Sequence, residues 1–257
     1  MQHLLFTQNE GIGVVTLNRP QALNATNMEL FAELEECQTR IEKDRSIRAV
    51  VINASGEHFT VGVDLHMLKQ IDSQFILDSL SWLQRLYSRW QEMPVPVIAA
   101  VQGLCYGSGV ELILGCDMRV ASEDARFAIP EVRFGLSPDM GGTVRLTKLV
   151  GIGQAKRLIL GCEEIDAAEA LRIGLIEVMV LRCQLMERAM KIAEKMAVLP
   201  PAAIRFAKKG INLAAESSVM AGLLFEQAQS TFCCGTEDFN EAINAFLEKR
   251  KPVFKGL

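Results

Sequence analysis

Histidine is scarce in this 257-residue chain, and the three present, His3, His58 and His66, all fall in its first quarter. A three-histidine metal site would need them to converge, so no metal is expected. The Gly107-Ser-Gly109 turn hints at a nucleophile elbow. Tyr106, however, stands where that pattern needs glycine, and no histidine follows Ser108, which removes a hydrolase triad in its usual chain order. No GxxxxGK[ST] loop occurs, and Gly151-Ile-Gly153-Gln-Ala-Lys156 lacks the third glycine of a dinucleotide loop. Nucleotide and nicotinamide chemistry recede accordingly. A basic excess is missing too: 27 Lys and Arg stand against 31 Asp and Glu, a net charge of −4 that argues against nucleic acid as a partner.

The seven cysteines are odd in number and show no CxxC spacing, so they read as free thiols of a reducing compartment. The first ten residues have neither a basic region nor a long apolar stretch, so no signal or transit peptide is expected and a cytoplasmic location fits. The most apolar window, residues 95–116, is interrupted by Pro96, Gln102, Gly103, Gly107, Gly109 and Glu111. It reads as core, and no membrane span is expected.

What remains is a chain that is 49% hydrophobic and 23% charged, enough to bury one large core with a modest appendage. Two short strands, about 3–7 and 13–18, flank the turn signal Asn9-Glu-Gly11. Thr26 and Glu29 form a capping-box pattern ahead of Met28, Phe31, Leu34 and Ile41, which recur near helical period. Residues 48–53 read as a buried strand, 75–90 as an amphipathic helix, 97–101 as a strand, 109–114 as a short helix, 118–121 as a strand and 143–149 as a helix. Beyond residue 150 helices are expected at about 153–160, 166–173, 182–197, 201–214, 218–230 and 238–249, with 175–180 the single strand. Repeated strand and helix units with an all-helical tail predict an α/β or α+β core, residues 1–200, and a helical module, residues 201–257, that packs on a partner subunit.

Three carboxylates are candidates for chemistry. Glu111 sits in an apolar helix after a glycine-rich turn, where it is either functional or a buried glutamate satisfied by an arginine or a helix N-terminus. Glu131 follows Pro130 at the end of an apolar stretch, and its ordinary reading is a surface glutamate paired with Arg133. Asp139, in Ser137-Pro-Asp-Met-Gly-Gly142, reads by itself as a turn or cap residue. Glycines at 62 and 107 each put a sharp turn before a helical segment, which leaves amide N–H groups free to meet an anion.

Taken jointly, these elements resemble the enoyl-CoA hydratase/isomerase (crotonase) family over nearly the whole chain. Leu17-Asn-Arg-Pro-Gln-Ala-Leu-Asn-Ala25 resembles its first-strand signature, and His58-Phe-Thr-Val-Gly-Val-Asp-Leu65 resembles its F-x-A-G-A-D-[LI]. Residues 96–103, Cys116-Asp117, 127–145 and 246–252 match further blocks. The resemblance implies a crotonase-like spiral of strand-strand-helix repeats with a C-terminal helical trimerisation region. It also implies an acyl-CoA thioester substrate, a homotrimer or dimer of trimers, and no cofactor beyond the coenzyme A that enters with the substrate. Carried over residue by residue, it makes the backbone N–H groups of Val63 and Ser108 an oxyanion hole, with Asp64, Leu65 and Gly107 beside the substrate. Val61, Val63 and Ser108 depart from the family's usual small residues, which bears on pocket shape more than on backbone donors.

Glu111 and Glu131 fall where hydratases carry paired glutamates, while Asp139 falls where they typically have glycine and the dienoyl-CoA isomerase branch has an acid. Hydration of a 2-enoyl-CoA is therefore the first expectation. Isomerisation through Glu131 and Asp139 is the second, and acyl-CoA binding without hydratase activity a weaker third. Dehalogenation, whose branch also has an aspartate at the Asp139 position, ranks below hydration and isomerisation. Lys208-Lys209 and Lys249-Arg250-Lys251 are expected to be solvated faces, one terminal cation meeting the CoA phosphates.

Overall fold

Glu10 and Gly11 both take left-handed backbone, at φ 47° and 80°, and so close the hairpin of β1 (Leu4–Asn9) and β2 (Ile12–Leu17) that opens this computed structural model of residues 1–256. A two-residue turn of this kind matches the natural strand twist. The chain continues through α1 (Met28–Lys43), β3 (Ala49–Ala54), α2 (Leu65–Leu68), α3 (Ser73–Glu92), β4 (Val97–Val101), β5 (Leu104–Tyr106) and α4 (Ser108–Leu114). There follow β6 (Met118–Ser122), β7 (Arg126–Ala128), α5 (Gly142–Val150), α6 (Ile152–Leu160), β8 (Ile165–Asp166), α7 (Ala167–Arg172), β9 (Val178–Val180) and α8 (Leu185–Ala197). The helices α9 (Pro201–Ala214), α10 (Val219–Cys234) and α11 (Glu237–Leu247) complete it.

The strands form two sheets, β1-β2-β3-β4-β6-β9 and β5-β7-β8. After the hairpin every pairing in the larger sheet is parallel. The chain passes from β4 in the large sheet to β5 in the small one, through α4, then back to β6 and on to β7, which is a spiral advancing one strand per turn. β4 is an unbroken apolar run and β3 is apolar but for Asn53, because both sheet faces are covered. Val50 and Ile52 point into the main core with Phe31, Tyr87 and Trp90, while Ala49 and Val51 alternate to the other face against Leu185, Ala189 and Ile192 of α8.

Most expected elements are present within two or three residues. The small sheet is new: β5 and β7 are three residues long and β8 two, too short for any periodicity to register. β8 also makes the strand near residue 178 not the only one after residue 150. At the start of α1 the capping residue is Asn27, whose side chain accepts from Leu30 N–H at 3.0 Å, while Thr26 turns inward. Lys208 is not on a solvated face. Its Nζ is buried 2.7 Å from Asp117 Oδ2 and donates to the carbonyls of Trp90 and Val95, because α9 lies against the core there. Arg250 pairs with Glu241 and Glu248. Among the described residues, no helix is long and apolar enough to cross a membrane.

Candidate active site

The spiral brings two sharp turns side by side. Gly107, at φ 53° and ψ −120°, joins β5 to α4 and donates its N–H to Ala128 O on β7 at 2.9 Å. Ser108, the first residue of α4, is left with an N–H that has no helical acceptor. Gly62, at φ 92°, lies against this turn: a Cβ there would stand 3.0 Å from Tyr106 O and 3.6 Å from Ser108 N. Thr26 N–H donates to Gly62 O and Asp64 N–H donates to Thr26 O, each at 2.8 Å, so the Val63 amide between them also lacks an acceptor among the described residues. Asp64 Oδ1 caps α2 by accepting from His66 N–H, and its other oxygen meets Arg19 at 3.4 Å, so Asp64 holds this loop in place. Leu65 follows it, exposed.

Glu111 lies one turn into α4, with its residue only 2% exposed. Its Oε1 accepts from Met140 N–H at 2.9 Å and Gly142 N–H at 2.8 Å, the second being the first residue of α5. A helix N-terminus thus meets the buried glutamate. It does not win: burial, with the charges of Glu131 and Asp139, outweighs the two amides and pushes the Glu111 carboxyl up to about 8.

Glu131 opens the 3-10 turn Glu131–Phe134 after Pro130. It is not paired with Arg133, whose guanidinium goes to Cys162 O. Oε1 packs against Gly107, where a Cβ would stand only 2.6 Å away, and Oε2 is buried with no hydrogen-bond partner. Burial, helped by the Asp139 charge, pushes this carboxyl up to about 6. Asp139 is half-buried, which raises its carboxyl as well. Its carbonyl accepts from Gln84 of α3, and it lines a cavity of about 600 Å³ between α3 and α5 with Met140 and Arg145.

Three supports were not evident from the sequence. Arg145 donates to Met140 O, Gln91 and Ser88, bracing the loop whose amides hold Glu111. Tyr87 sits on the buried face of α3 with a hydroxyl that faces Ser108 and feels the Glu111 charge, although its spacing with Leu83 and Trp90 reads as plain core. Thr26 bonds Ser108 Oγ at 3.1 Å, a contact between residues 82 positions apart for which the sequence carries no signal.

Two unpartnered amides beside three acids whose pKa values are raised form a site able to polarise a carbonyl and move protons next to it. The family model described as enoyl-CoA hydratase/isomerase matches residues 7–257. This chain belongs to the enoyl-CoA hydratase/isomerase family. The short-chain-enoyl-CoA hydratase of Clostridium acetobutylicum is 38% identical, the match covering 98% of this chain and 97% of that one. The 2,3-dehydroadipyl-CoA hydratase of Escherichia coli is also 38% identical, over 100% of both. A crystal structure of enoyl-CoA hydratase from Bacillus anthracis superposes with a TM-score of 0.96 at 34% identity, covering 100% of both chains. The fold is therefore the crotonase fold of that family, and the chain is an enzyme of it.

Proposed function

We propose that this enzyme adds water across the double bond of a 2-enoyl-CoA thioester. The thioester oxygen sits at the N–H groups of Val63 and Ser108, and one water lies between Glu111 and Glu131. The water oxygen attacks C3 while its proton passes to whichever carboxylate of the pair is ionised. The electron pair of the double bond moves onto the thioester oxygen as an enolate, which the two amides stabilise with little reorganisation. C2 then takes the proton held by the other carboxyl, so the pair ends with the single proton it began with. Coenzyme A enters as part of the substrate, and no further cofactor is called for.

The observation that carries this reading is the pair itself: Glu131 packed on the Gly107 turn and Glu111 one turn into the helix that follows it, near enough for the Glu131 charge to raise Glu111, with carboxyls near 6 and near 8 that hold one proton between them around neutrality. The second reading, migration of double bonds in a dienoyl-CoA by Glu131 and Asp139, has Asp139's partial burial and raised carboxyl in its favour. Incubation with 2-enoyl- and dienoyl-CoA thioesters in 18O-labelled water separates them. Hydration adds the mass of labelled water, and isomerisation leaves mass unchanged. For a hydratase, Asp139→Asn keeps the rate within a few-fold, while Glu111→Gln loses ~100- to 10,000-fold. Mass-neutral products and an inactive Asp139→Asn would establish the isomerase instead.

A further inference from the structure

We propose that Thr26 is a positioning residue that sets the spacing of the two oxyanion-hole amides through its side-chain hydrogen bond to Ser108. This rests on the assignment of the Val63 and Ser108 amides as that hole. The two arms are joined by backbone only up to Thr60, which accepts from Tyr106 N–H at 3.0 Å and donates to Leu104 O at 3.0 Å. Past that point they continue as Gly62-Val63 and Gly107-Ser108, each with positive-φ glycine backbone; they touch at Gly62, but hydrogen bonding between them among the described residues passes through Thr26.

Thr26 grips both arms at once. Its backbone is bonded on either side of Val63, donating to Gly62 O and accepting from Asp64 N–H, which fixes the direction of the Val63 amide. Its hydroxyl lies 3.1 Å from Ser108 Oγ, which fixes the first residue of α4 and hence the second amide. Both side chains are out of water, Thr26 at 0% and Ser108 at 2% exposure, so no solvent competes for the bond. An oxyanion hole works only while its donors stay 2.7–3.1 Å from one developing charge, and a displacement of about 1 Å costs about 100-fold in rate. A bond that ties the donors across the open end of the turn pair is therefore felt in the transition state more than in substrate binding.

The test is Thr26→Val, which keeps the branched shape and the backbone pairing, beside Thr26→Ser, which keeps the hydroxyl. In Thr26→Val the Ser108 hydroxyl loses its Thr26 partner, and the buried Tyr87 hydroxyl, which has no hydrogen-bond partner in the parent structure, is the group beside it free to replace the bond. Two quantities are read: the kinetic constants on a 2-enoyl-CoA, and the red shift in absorption of a conjugated dienoyl-CoA on binding to the Glu131→Gln protein. That shift appears because amides at the carbonyl oxygen stabilise the charge-separated excited state. Thr26→Val should lower kcat about 10- to 100-fold with KM within about threefold, and should shrink the red shift. Thr26→Ser should restore both. Unchanged kcat and red shift in Thr26→Val would overturn the proposal, as would equal damage in Thr26→Ser, which would make the role one of packing. If Thr26→Val does not fold, Ser108→Ala removes the same bond from the other side and must show the same split between kcat and KM. No red shift with Thr26 intact would instead remove the oxyanion hole itself, a failure distinct from that of the clamp.

Discussion

Glu111 and Glu131 are the same residue type in one site, yet their surroundings assign them different protons. Glu111 is the more deeply buried and sits beside two other acids, which outweighs its two amide bonds. Glu131 is less deeply buried and rises less. The proposed reaction needs one proton on the pair. Below about pH 6 both carboxyls are protonated and no base remains; above about pH 8 both are ionised and no acid remains. The pH profile of kcat/KM should accordingly be bell-shaped, with limbs near those two values belonging to the pair. A profile flat from pH 5 to 9 would show that the pair does not carry the proton. Neither shift was legible in the sequence, because the amides of Met140 and Gly142 and the charge of Asp139 reach Glu111 only through tertiary packing.

Among the elements, α9 shows how a tail helix is fastened to the spiral. Lys208 of α9 brings Nζ to Asp117 Oδ2, Trp90 O and Val95 O, and the same Asp117 oxygen accepts from Val97 N–H at 2.7 Å. One cation thus ties α9 to the end of α3, to β4 and to the start of β6. The Lys191–Glu187 pair of α8 is of similar length but solvated, and pairs of that kind contribute little. Replacing Lys208 by Met should destabilise the protein by about 3 kcal/mol in urea unfolding, because it takes the cation from a largely buried Asp117 carboxylate that keeps only the Val97 N–H. Adding Asp117→Asn should recover part of that loss, and a Lys208→Met protein as stable as the parent would show that the pair is not what fastens α9. Long elements were legible because period and length give a clear signal. β5, β7 and β8 were not, since two or three residues make a strand only when a neighbouring strand selects them.

At the scale of the molecule, the helices after residue 200 hold apolar side chains that the chain itself does not cover. Val219 is 80% exposed and Phe246 83%, with Leu223, Leu224, Phe239 and Ile243 also exposed, while Phe225 packs on Phe206. An apolar surface of this extent marks a face that is covered by something. We propose that it is a sister subunit, in a homotrimer or dimer of trimers, with residues 201–257 as the associating module. Sedimentation velocity at micromolar concentration should give a species at least three times the monomer mass. A single monomeric boundary would refute this, and Phe246→Asp should shift the boundary toward monomer.

The family resemblance, the longer strands and helices, and the positions of Glu111, Glu131 and Asp139 could be read along the chain alone. Each of these lies in local patterns: glycine turns, apolar periodicity and carboxylates out of character with their neighbours. Packing between distant segments is what holds Glu111 at the α5 N-terminus, turns Glu131 away from Arg133 with one oxygen unpartnered, and buries Lys208. It alone put the Thr26 hydroxyl against that of Ser108. The reason is common to all four: burial, charge and hydrogen-bond geometry depend on which distant segments meet, and no periodicity along the chain records a contact across 82 residues.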